Sequence, residues 1–413
     1  MGYTKHIIKG VSWIAAIRVV IRILSFAKTI IIARILSPND FGIFGIATLV
    51  LTFVEIFTET GVNIFLVQKK ATIDEYIDTA WVVSILRGFI IALVIIASSF
   101  FVVSFFNSPQ SLGVLILISL VPIGRGFINP SIIKFQKDLK FNQEFNLRSL
   151  VFLVETISIV TFVFLLHNVY GIVIGMLIGV LMEIYLSLTI VKPLPRLKFH
   201  SQKFREVVGF GKWITASTIF NYFYQHGDDI AVGRLLGTSS LGIYDMAYRL
   251  SLIPLSDISD VVSKVTFPVY VQLSDDMKRL RRAFLRTFLA VVGLVVPISL
   301  VLFFYPLEIV TLLLGTKWLE VVPVLQVLAI FGAVRAFSVF LSSLFLSVKM
   351  QRAFTLVTFV GLVGLGITVV PFVQQWGMIG AGLAALSGTL LTFPLILYYL
   401  YKIFTRKTIN VEK

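Results

Sequence analysis

The 413-residue sequence has no cysteine, only four histidines and few charged residues, and each shortage excludes a class of protein. Without cysteine the chain has no disulfide, thiol nucleophile or thiolate metal site, and the scattered histidines predict no metal centre and no cofactor. Charged residues are 14% of the chain, whereas soluble domains have about 25%. Hydrophobic residues make up 57%, and the mean hydropathy is +0.95. The composition therefore predicts an all-α polytopic membrane protein.

Apolar runs bounded by polar or turn residues predict twelve transmembrane helices. Because a helix that crosses the bilayer needs about 20 apolar residues, these spans leave only short loops. A large catalytic domain is therefore excluded, and we expect a transporter and not an enzyme. The predicted spans are residues 8–35, 39–67, 77–106, 111–134, 146–167, 169–191, 207–236, 239–272, 281–305, 321–347, 352–373 and 378–402.

Lysine and arginine are distributed unevenly between the two sides of the predicted bundle. The gaps after the odd-numbered spans carry only Arg34, Arg234 and Lys317, whereas the even-numbered gaps and both termini are rich in basic residues. Cytoplasmic loops carry such an excess, so we predict a multi-pass protein of the cell inner (plasma) membrane with both termini in the cytoplasm. The same bias accounts for the net charge of +15 without a nucleic-acid partner.

The region around the first two predicted helices recurs 200 positions later in the chain. Arg34 aligns with Arg234, and Gly42 aligns with Gly242. Both copies belong to helices entered from the cytoplasm, so the two halves of the protein are parallel. We therefore predict two parallel six-helix lobes around a central cavity that opens by alternating access. The predicted division is an N-lobe at 1–191, a basic cytoplasmic linker at 192–206 and a C-lobe at 207–413.

Several arginines lie where the predicted helices cross the interior of the bilayer. A charge at the bilayer centre costs at least about 2.5–3.5 kcal/mol, so we expect these side chains to face a watery cavity or an acidic partner. Arg18 and Arg22 share one face of the first helix. Arg125, Arg249 and Arg335 lie deep in the fourth, eighth and tenth helices. We predict that all five bind an anionic group of a substrate.

Carboxylates lie at comparable depth in both predicted lobes. Two in the second helix form one stripe, where they either pair with the arginines of the first helix or line the cavity. Two in the seventh helix are adjacent, and because like charges repel, one is expected to be protonated or to bind a cation. Those of the eighth helix are either structural ion pairs or part of an Na⁺- or H⁺-coupling site. The candidates are Glu55, Glu59, Asp228, Asp229, Asp257 and Asp260.

The segment ARILSPNDFGIFGIA at 33–47, followed by FTETGVNIFLVQKK at 57–70, resembles the first helix pair of the Wzx-type polysaccharide-export flippases. This family belongs to the MOP superfamily, which also contains the MATE exporters and the MurJ lipid II flippases. The resemblance implies transport of a polyprenyl-pyrophosphate-linked oligosaccharide from the cytoplasmic to the outer leaflet, for cell-surface polysaccharides such as lipopolysaccharide O-antigen. It also implies that Arg18 and Arg22 contact the pyrophosphate, and that the partners are membrane lipids and polysaccharide polymerase machinery.

Two other functions stay open at this point. A MATE-like, ion-coupled exporter of small cations has the same predicted fold, but the cationic first helix argues against it because a cationic drug requires carboxylates there. A membrane glycan polymerase or glycosyltransferase usually has a sizeable extramembrane loop. The longest gap here is the basic linker between the two predicted lobes, which argues against an enzyme of that kind.

Overall fold

The computed structural model describes residues 21–58, 74–138 and 140–405, without the side chains of 74, 136, 141 and 201–217. Within these ranges the regular structure is entirely helical and contains no strand, which confirms the predicted all-α class. The chain divides into two compact units, Met1–Ile219 and Phe220–Lys413. We call them the N-terminal and C-terminal units, and each is described by itself.

The N-terminal unit contains long helices that follow the apolar runs of the sequence. The one departure is the predicted fourth span at 111–134, which is divided into short helices joined by a 3₁₀ turn at Pro130–Ile132. The helices are α1 (21–35), α2 (Pro38–Phe57), α3 (Asp74–Phe106), α4 (Ser111–Ile118), α5 (Leu120–Gly126), α6 (Ile133–Lys137), α7 (Phe141–Leu166) and α8 (Tyr170–Ile190).

The break after α5 is organised around the side chain of Asn129, which is fully buried. A residue that precedes proline is disfavoured in a helix, and Asn129 precedes Pro130 with extended backbone angles. Its carboxamide oxygen accepts from the backbone N–H of Ser131 at 2.9 Å. Its amide nitrogen donates to the backbone oxygens of Ser187, Val191 and Pro193, each at 3.2 Å. Asn129 therefore fastens the start of the predicted linker to the N-terminal unit.

We predict that Asn129→Ala lowers the stability of the N-terminal unit by about 2–3 kcal/mol, because buried hydrogen-bonding groups lose their partners. Thermal unfolding of the protein in detergent, followed by fluorescence, measures the change. Asn142→Ala is the matched control, because Asn142 is exposed on α7 and exposed sites usually change stability by less than about 0.5 kcal/mol. Equal stability of the two variants would refute the structural role of Asn129.

The C-terminal unit is built around α13, which packs against α10, α11 and α14. The longest helix, α14, bends at Gly377, whose φ of 59° is outside the helical range. The first arm of α14 therefore follows the predicted eleventh span, whereas the predicted twelfth span, 378–402, is divided between the second arm and α15. The helices are α9 (Ser201–Leu236), which carries the unit boundary, α10 (Thr238–Gln272), α11 (Met277–Phe304), α12 (Pro306–Leu313), α13 (Val321–Ser347), α14 (Gln351–Leu390) and α15 (Phe393–Thr405).

The 200-residue repeat is visible in the local structure of each unit. In the N-terminal unit, α2 begins after Ser37, whose hydroxyl accepts from the backbone of Asp40 while the Asp40 carboxylate accepts from the backbone of Ser37. In the C-terminal unit, α10 begins after Gly237, whose φ of 88° favours glycine. The same helix positions are buried in both copies, namely 41, 42, 43, 46 and 47 in α2 and 241, 242, 243, 246 and 247 in α10.

Seven helical stretches among the described residues are long and apolar enough to cross a membrane, which agrees with the predicted multi-pass membrane protein. The paired helices α9 and α10 are longer than a bilayer requires but are too polar to be among the seven. Charged and hydroxyl-bearing side chains lower the hydropathy of these two helices. Several of those side chains form the acidic cluster described below.

Candidate functional site

A polar cavity of about 550 Å³ lies inside the N-terminal unit. Five helices each contribute one ionisable side chain to its wall: Glu55 from α2, Arg87 from α3, Arg125 from α5, Arg148 from α7 and Glu183 from α8. Three guanidinium groups and two carboxylates line the wall, and Arg148 has a further carboxylate partner on its own helix. The guanidinium groups provide donors in the planar geometry that phosphate and carboxylate groups require.

Glycines bring α3 and α5 close enough to form one wall of this cavity. A Cβ on Gly126 would lie 2.8 Å from the backbone oxygen of Ser84, and a Cβ on Gly88 would overlap the backbone oxygen of Pro122. The small residues beside Arg125 therefore permit close helix packing. This packing places the guanidinium of Arg125 beside α2 and α3.

Arg125 and Glu55 form the central ion pair of the cavity. The Nη1 atom of Arg125 lies 2.8 Å from Oε1 of Glu55. Arg87 binds the backbone of the same residue, because its Nη2 donates to the Glu55 carbonyl oxygen at 2.8 Å and its Nε donates to the Thr58 hydroxyl at 3.3 Å. Arg87 thus compensates the carbonyl end of α2 and fixes the position from which the Glu55 side chain reaches Arg125.

The sequence analysis missed part of this cavity. It did not name Arg148 as a candidate, but Arg148 lies inside α7, where its Nε is 2.8 Å from Oε1 of Glu144. It also passed over Glu183, which is half-buried on α8. A carboxylate inside the apolar run at 169–191 was the available signal, because a charge in a membrane span has a cost and points to a function.

A second ion pair that the sequence analysis did not identify involves Glu155, which lies where α7 packs against α8. Gly175 and Gly179 let α8 approach α7, and a Cβ on Gly179 would lie 2.7 Å from the Cβ of Glu155. Oε1 of Glu155 lies 3.6 Å from Nζ of Lys28 on α1, and the Lys28 ammonium also lies 5.3 Å from the ring centroid of Phe152. The charge of Lys28 is therefore balanced within the N-terminal unit.

The C-terminal unit holds a compact acidic cluster on α9 and α10. Asp228 is 3% exposed, and its Oδ2 accepts the hydroxyl of Tyr244 at 2.7 Å. Oδ2 of the adjacent Asp229 lies 3.1 Å from Nδ1 of His226. The Oδ1 atoms of Asp228 and Asp229 are both buried without a hydrogen-bond partner among the described residues. Two neighbouring carboxylates with free oxygens form an arrangement that binds a proton or a small cation.

Two arginines lie beside this acidic cluster. Nε of Arg249 is 2.7 Å from Oδ2 of Asp245, one helical turn away on α10. Arg335 of α13 lies between two rings, with its guanidinium carbon 5.9 Å from the ring centroid of Tyr224 and 5.7 Å from that of Phe331. Cation–π contacts of this kind hold a guanidinium in a defined orientation. Arg335 is also within electrostatic range of Asp228.

The remaining candidates are not brought into either cluster. Arg22 is exposed on α1, whereas Arg18 and Glu59 lie outside the described residues. Asp257 is half-buried and Asp260 is exposed, and Asp257 lies about 20 Å along α10 from Tyr244 at 1.5 Å per residue. The described part of the chain has no group of three His, Asp or Glu side chains arranged to hold a metal ion.

Comparison with other sequences identifies the family. The sequence profile of a family described as polysaccharide biosynthesis protein matches residues 31–323. An uncharacterized membrane protein in the cps region of Klebsiella pneumoniae is 28% identical over 400 residues, which cover 96% of this chain and 82% of that protein. The lipopolysaccharide biosynthesis protein WzxC of Escherichia coli (strain K12) is 25% identical over 345 residues, with 81% and 69% covered. The teichuronic acid biosynthesis protein TuaB of Bacillus subtilis (strain 168) is 24% identical over 341 residues, with 80% and 69% covered.

Solved structures show which fold the chain shares. The lipid II flippase MurJ in an inward closed conformation aligns with a TM-score of 0.77 at 16% identity, over 94% of this chain and 88% of MurJ. An inward-facing multidrug resistance MATE transporter of the MOP superfamily aligns with a TM-score of 0.67 at 14% identity, over 94% and 98%. These likenesses agree with the MOP-type fold expected from the first helix pair. Together with the profile match over most of the chain, they show that the protein belongs to the polysaccharide biosynthesis protein family.

Proposed function

We propose that the protein is a flippase that moves a polyprenyl-pyrophosphate-linked oligosaccharide from the cytoplasmic to the outer leaflet during synthesis of a cell-surface polysaccharide. The observation that carries this proposal is the guanidinium-lined cavity inside the N-terminal unit. A pyrophosphate is the part of such a substrate that least tolerates the bilayer interior, and guanidinium groups bind it with charge-assisted hydrogen bonds. The names of WzxC, TuaB and MurJ, which concern polysaccharide synthesis and lipid II flipping, support the same substrate class.

The position of the cavity suits a substrate that arrives from the cytoplasm. Arg148 and Glu183 each lie about 10 Å from the ends of α7 and α8 that adjoin basic loops, at 1.5 Å per residue. In the orientation we propose for the inner membrane, with cytoplasmic termini, those loops are cytoplasmic. The lipid-linked precursor would therefore meet Arg125 and its neighbours first. Arg18, Arg22, Arg249 and Arg335 are proposed to contact the same headgroup as it crosses.

The architecture that fits this function is the predicted one of twelve helices in two parallel six-helix lobes around a central cavity. The N-lobe would comprise 1–191, the cytoplasmic linker 192–206 and the C-lobe 207–413. Rocking of the lobes would expose the cavity to one leaflet at a time. The protein would act as a transporter and not as an enzyme, because translocation makes and breaks no covalent bond.

We further propose that Na⁺ or H⁺ drives the cycle through the acidic cluster of the C-terminal unit. The two buried Oδ1 atoms of Asp228 and Asp229 support this role, since each is a ligand without a partner among the described residues. Glu55 has an arginine partner instead, and Asp257 and Asp260 lie apart from the cluster. A role for these three carboxylates in ion coupling is proposed from the sequence alone. Glu59 belongs to the same set of candidates.

A MATE-like exporter of small cations has the same fold, but the three arginines that line the cavity argue against it. Guanidinium groups donate hydrogen bonds and accept none, so they suit an anion and not a cationic drug. The polysaccharide family match also favours the flippase.

Reconstitution tests the proposed function directly. The purified protein in proteoliposomes is expected to move a fluorescent polyprenyl-pyrophosphate-linked oligosaccharide between leaflets faster than protein-free vesicles do. Accessibility of the sugar to an impermeant glycan-cleaving enzyme measures the movement. A lipid cation of the kind MATE transporters carry is the comparison substrate. Transport of the cation without transport of the lipid-linked oligosaccharide would refute the flippase proposal.

A further inference from the structure

The ion pair between Arg125 and Glu55 is open to the cavity and is joined through one atom of each side chain. The side chain of Arg125 is 46% exposed and that of Glu55 is 28% exposed. Within the described residues they share a single short contact, between Nη1 and Oε1 at 2.8 Å, and not the two parallel bonds of an arginine–carboxylate fork. The other donors of Arg125 and the second oxygen of Glu55 therefore stay accessible from the cavity.

The backbone of Glu55 is held independently of its side chain. Arg87 binds the Glu55 carbonyl oxygen at 2.8 Å and the Thr58 hydroxyl at 3.3 Å, at the end of α2. Thr58 in turn donates its hydroxyl to the carbonyl oxygen of Val54 at 2.9 Å. The Glu55 carboxylate can therefore leave Arg125 by rotation of its own side chain, without unwinding the helix that carries it.

A purely structural role explains this pair poorly. Exposed ion pairs contribute about 0–1 kcal/mol to stability, whereas ionisable groups inside membrane spans are expensive and are usually functional. Apolar side chains at both positions would form an uncharged contact at lower cost. The accessible geometry instead suits a pair that exchanges partners.

We propose that Glu55 is an internal anion that neutralises Arg125 between transport cycles, is displaced by the phosphate of the substrate, and returns to Arg125 to release that phosphate. The pyrophosphate of a lipid-linked sugar competes well for a guanidinium because, as a whole, it carries two negative charges and more free acceptor oxygens than a carboxylate. The displaced carboxylate stays in a cavity whose walls also carry Arg87 and Arg148. The inference rests on the proposed flippase function and identifies the residue that sets phosphate affinity in it.

The exchange predicts opposite effects of Glu55→Gln on binding and on transport. Without the competing carboxylate, the purified protein in detergent is expected to bind inorganic pyrophosphate about two- to five-fold more tightly, which corresponds to the usual strength of an exposed ion pair. Transport of the lipid-linked oligosaccharide in proteoliposomes is expected to fall, because release is no longer assisted. Isothermal titration calorimetry measures the binding, and the leaflet assay measures the transport.

Two further variants make the result specific. Glu55→Asp retains the carboxylate on a shorter side chain and is expected to lie between wild type and Glu55→Gln in both measurements. Asp138→Asn removes a carboxylate from an exposed pair with Lys140 outside the cavity, and it is expected to leave pyrophosphate binding unchanged.

The inference and the function it rests on fail in different ways. If the wild-type protein transports the lipid-linked oligosaccharide but Glu55→Gln binds pyrophosphate equally or more weakly, the pair is structural and the exchange is refuted. Tighter pyrophosphate binding by Glu55→Gln supports the exchange even if the wild type does not transport that lipid, and in that case the flippase proposal is wrong. Parallel losses of binding and transport at normal protein abundance would also refute the exchange.

Discussion

Replacing Arg125 with alanine is expected to reduce transport of the lipid-linked oligosaccharide by about ten- to hundred-fold, because hydrogen bonds to charged groups contribute about 1.5–3 kcal/mol each. The side chain lies at the centre of the guanidinium-lined cavity and faces α2 across the 2.8 Å contact with Glu55. Arg125→Lys is expected to retain part of the activity, since lysine keeps the charge but not the planar set of donors. Initial rates in proteoliposomes, corrected for the amount of protein inserted, measure both effects.

Misfolding of the alanine variant can be separated from loss of substrate binding. Removing Arg125 alone leaves the Glu55 carboxylate unpaired in the span, which is destabilising, whereas removal of both partners relieves that cost. Arg125→Ala combined with Glu55→Ala is therefore expected to recover normal thermal stability but not transport. Arg279→Ala, which removes a 71%-exposed cation from the pair with Asp276, is the control for a general change of charge. Full transport by the double variant would exclude Arg125 from the path of the substrate.

The helices of this protein could be read from the sequence because bilayer spans impose long apolar runs with polar ends. The predicted tenth span, 321–347, coincides with α13, and the predicted eighth span at 239–272 differs from α10 by one residue. The fourth and twelfth spans were exceptions. The twelfth, 378–402, is divided between α14 and α15. In the fourth, Ser119, Asn129 and Pro130 interrupt an otherwise apolar run, and hydropathy averaged over a window does not respond to a capping residue that ends a helix inside the membrane.

The candidate site was predictable only in part. Deep arginines were found by their cost in a bilayer, and one of them, Arg249, pairs with Asp245 one helical turn away. The contact between Arg125 and Glu55 joins residues far apart in sequence, so it depends on how α2, α3 and α5 pack, which spacing does not reveal. Glu155 and Glu183 carried the same signal as the deep arginines, since each lies in an apolar span, but neither was among the predicted carboxylates.

The two units present complementary chemistry, and this complementarity is what ion-coupled movement of an anionic lipid requires. The N-terminal unit has guanidinium groups around an open cavity, with a carboxylate paired to one of them through a single short contact. The C-terminal unit has two buried carboxylates, each with one oxygen that has no partner among the described residues. Two arginines lie beside them, of which Arg249 is held by an ion pair and Arg335 by aromatic rings. On the proposed function, the first arrangement would select phosphate and the second would bind a proton or a cation, so substrate and driving ion would have separate sites.

Asp228→Asn is therefore expected to uncouple transport from the ion gradient while leaving the phosphate site intact. Asparagine keeps the shape of the side chain and an oxygen that accepts the Tyr244 hydroxyl, but it removes the charge. The acceleration produced by an imposed Na⁺ or pH gradient is expected to fall by about ten-fold or more, within the usual range of coupling between sites. Rates in proteoliposomes with and without each gradient measure the loss and identify the ion.

The thermal stability and the pyrophosphate binding of Asp228→Asn distinguish a coupling role of Asp228 from a structural one. It is 3% exposed and one of its oxygens has no partner among the described residues, so removal of its charge should leave thermal stability equal or higher. Binding of inorganic pyrophosphate is expected to change by less than about two-fold, since the guanidinium cavity is untouched. Asp275→Asn, in the exposed turn before α11, should keep its full response to the gradient. If Asp228→Asn keeps that response as well, the ion does not pass through this cluster. If the variant unfolds instead, the Asp228 carboxylate holds α9 to α10 through Tyr244, and the role of Asp228 is structural.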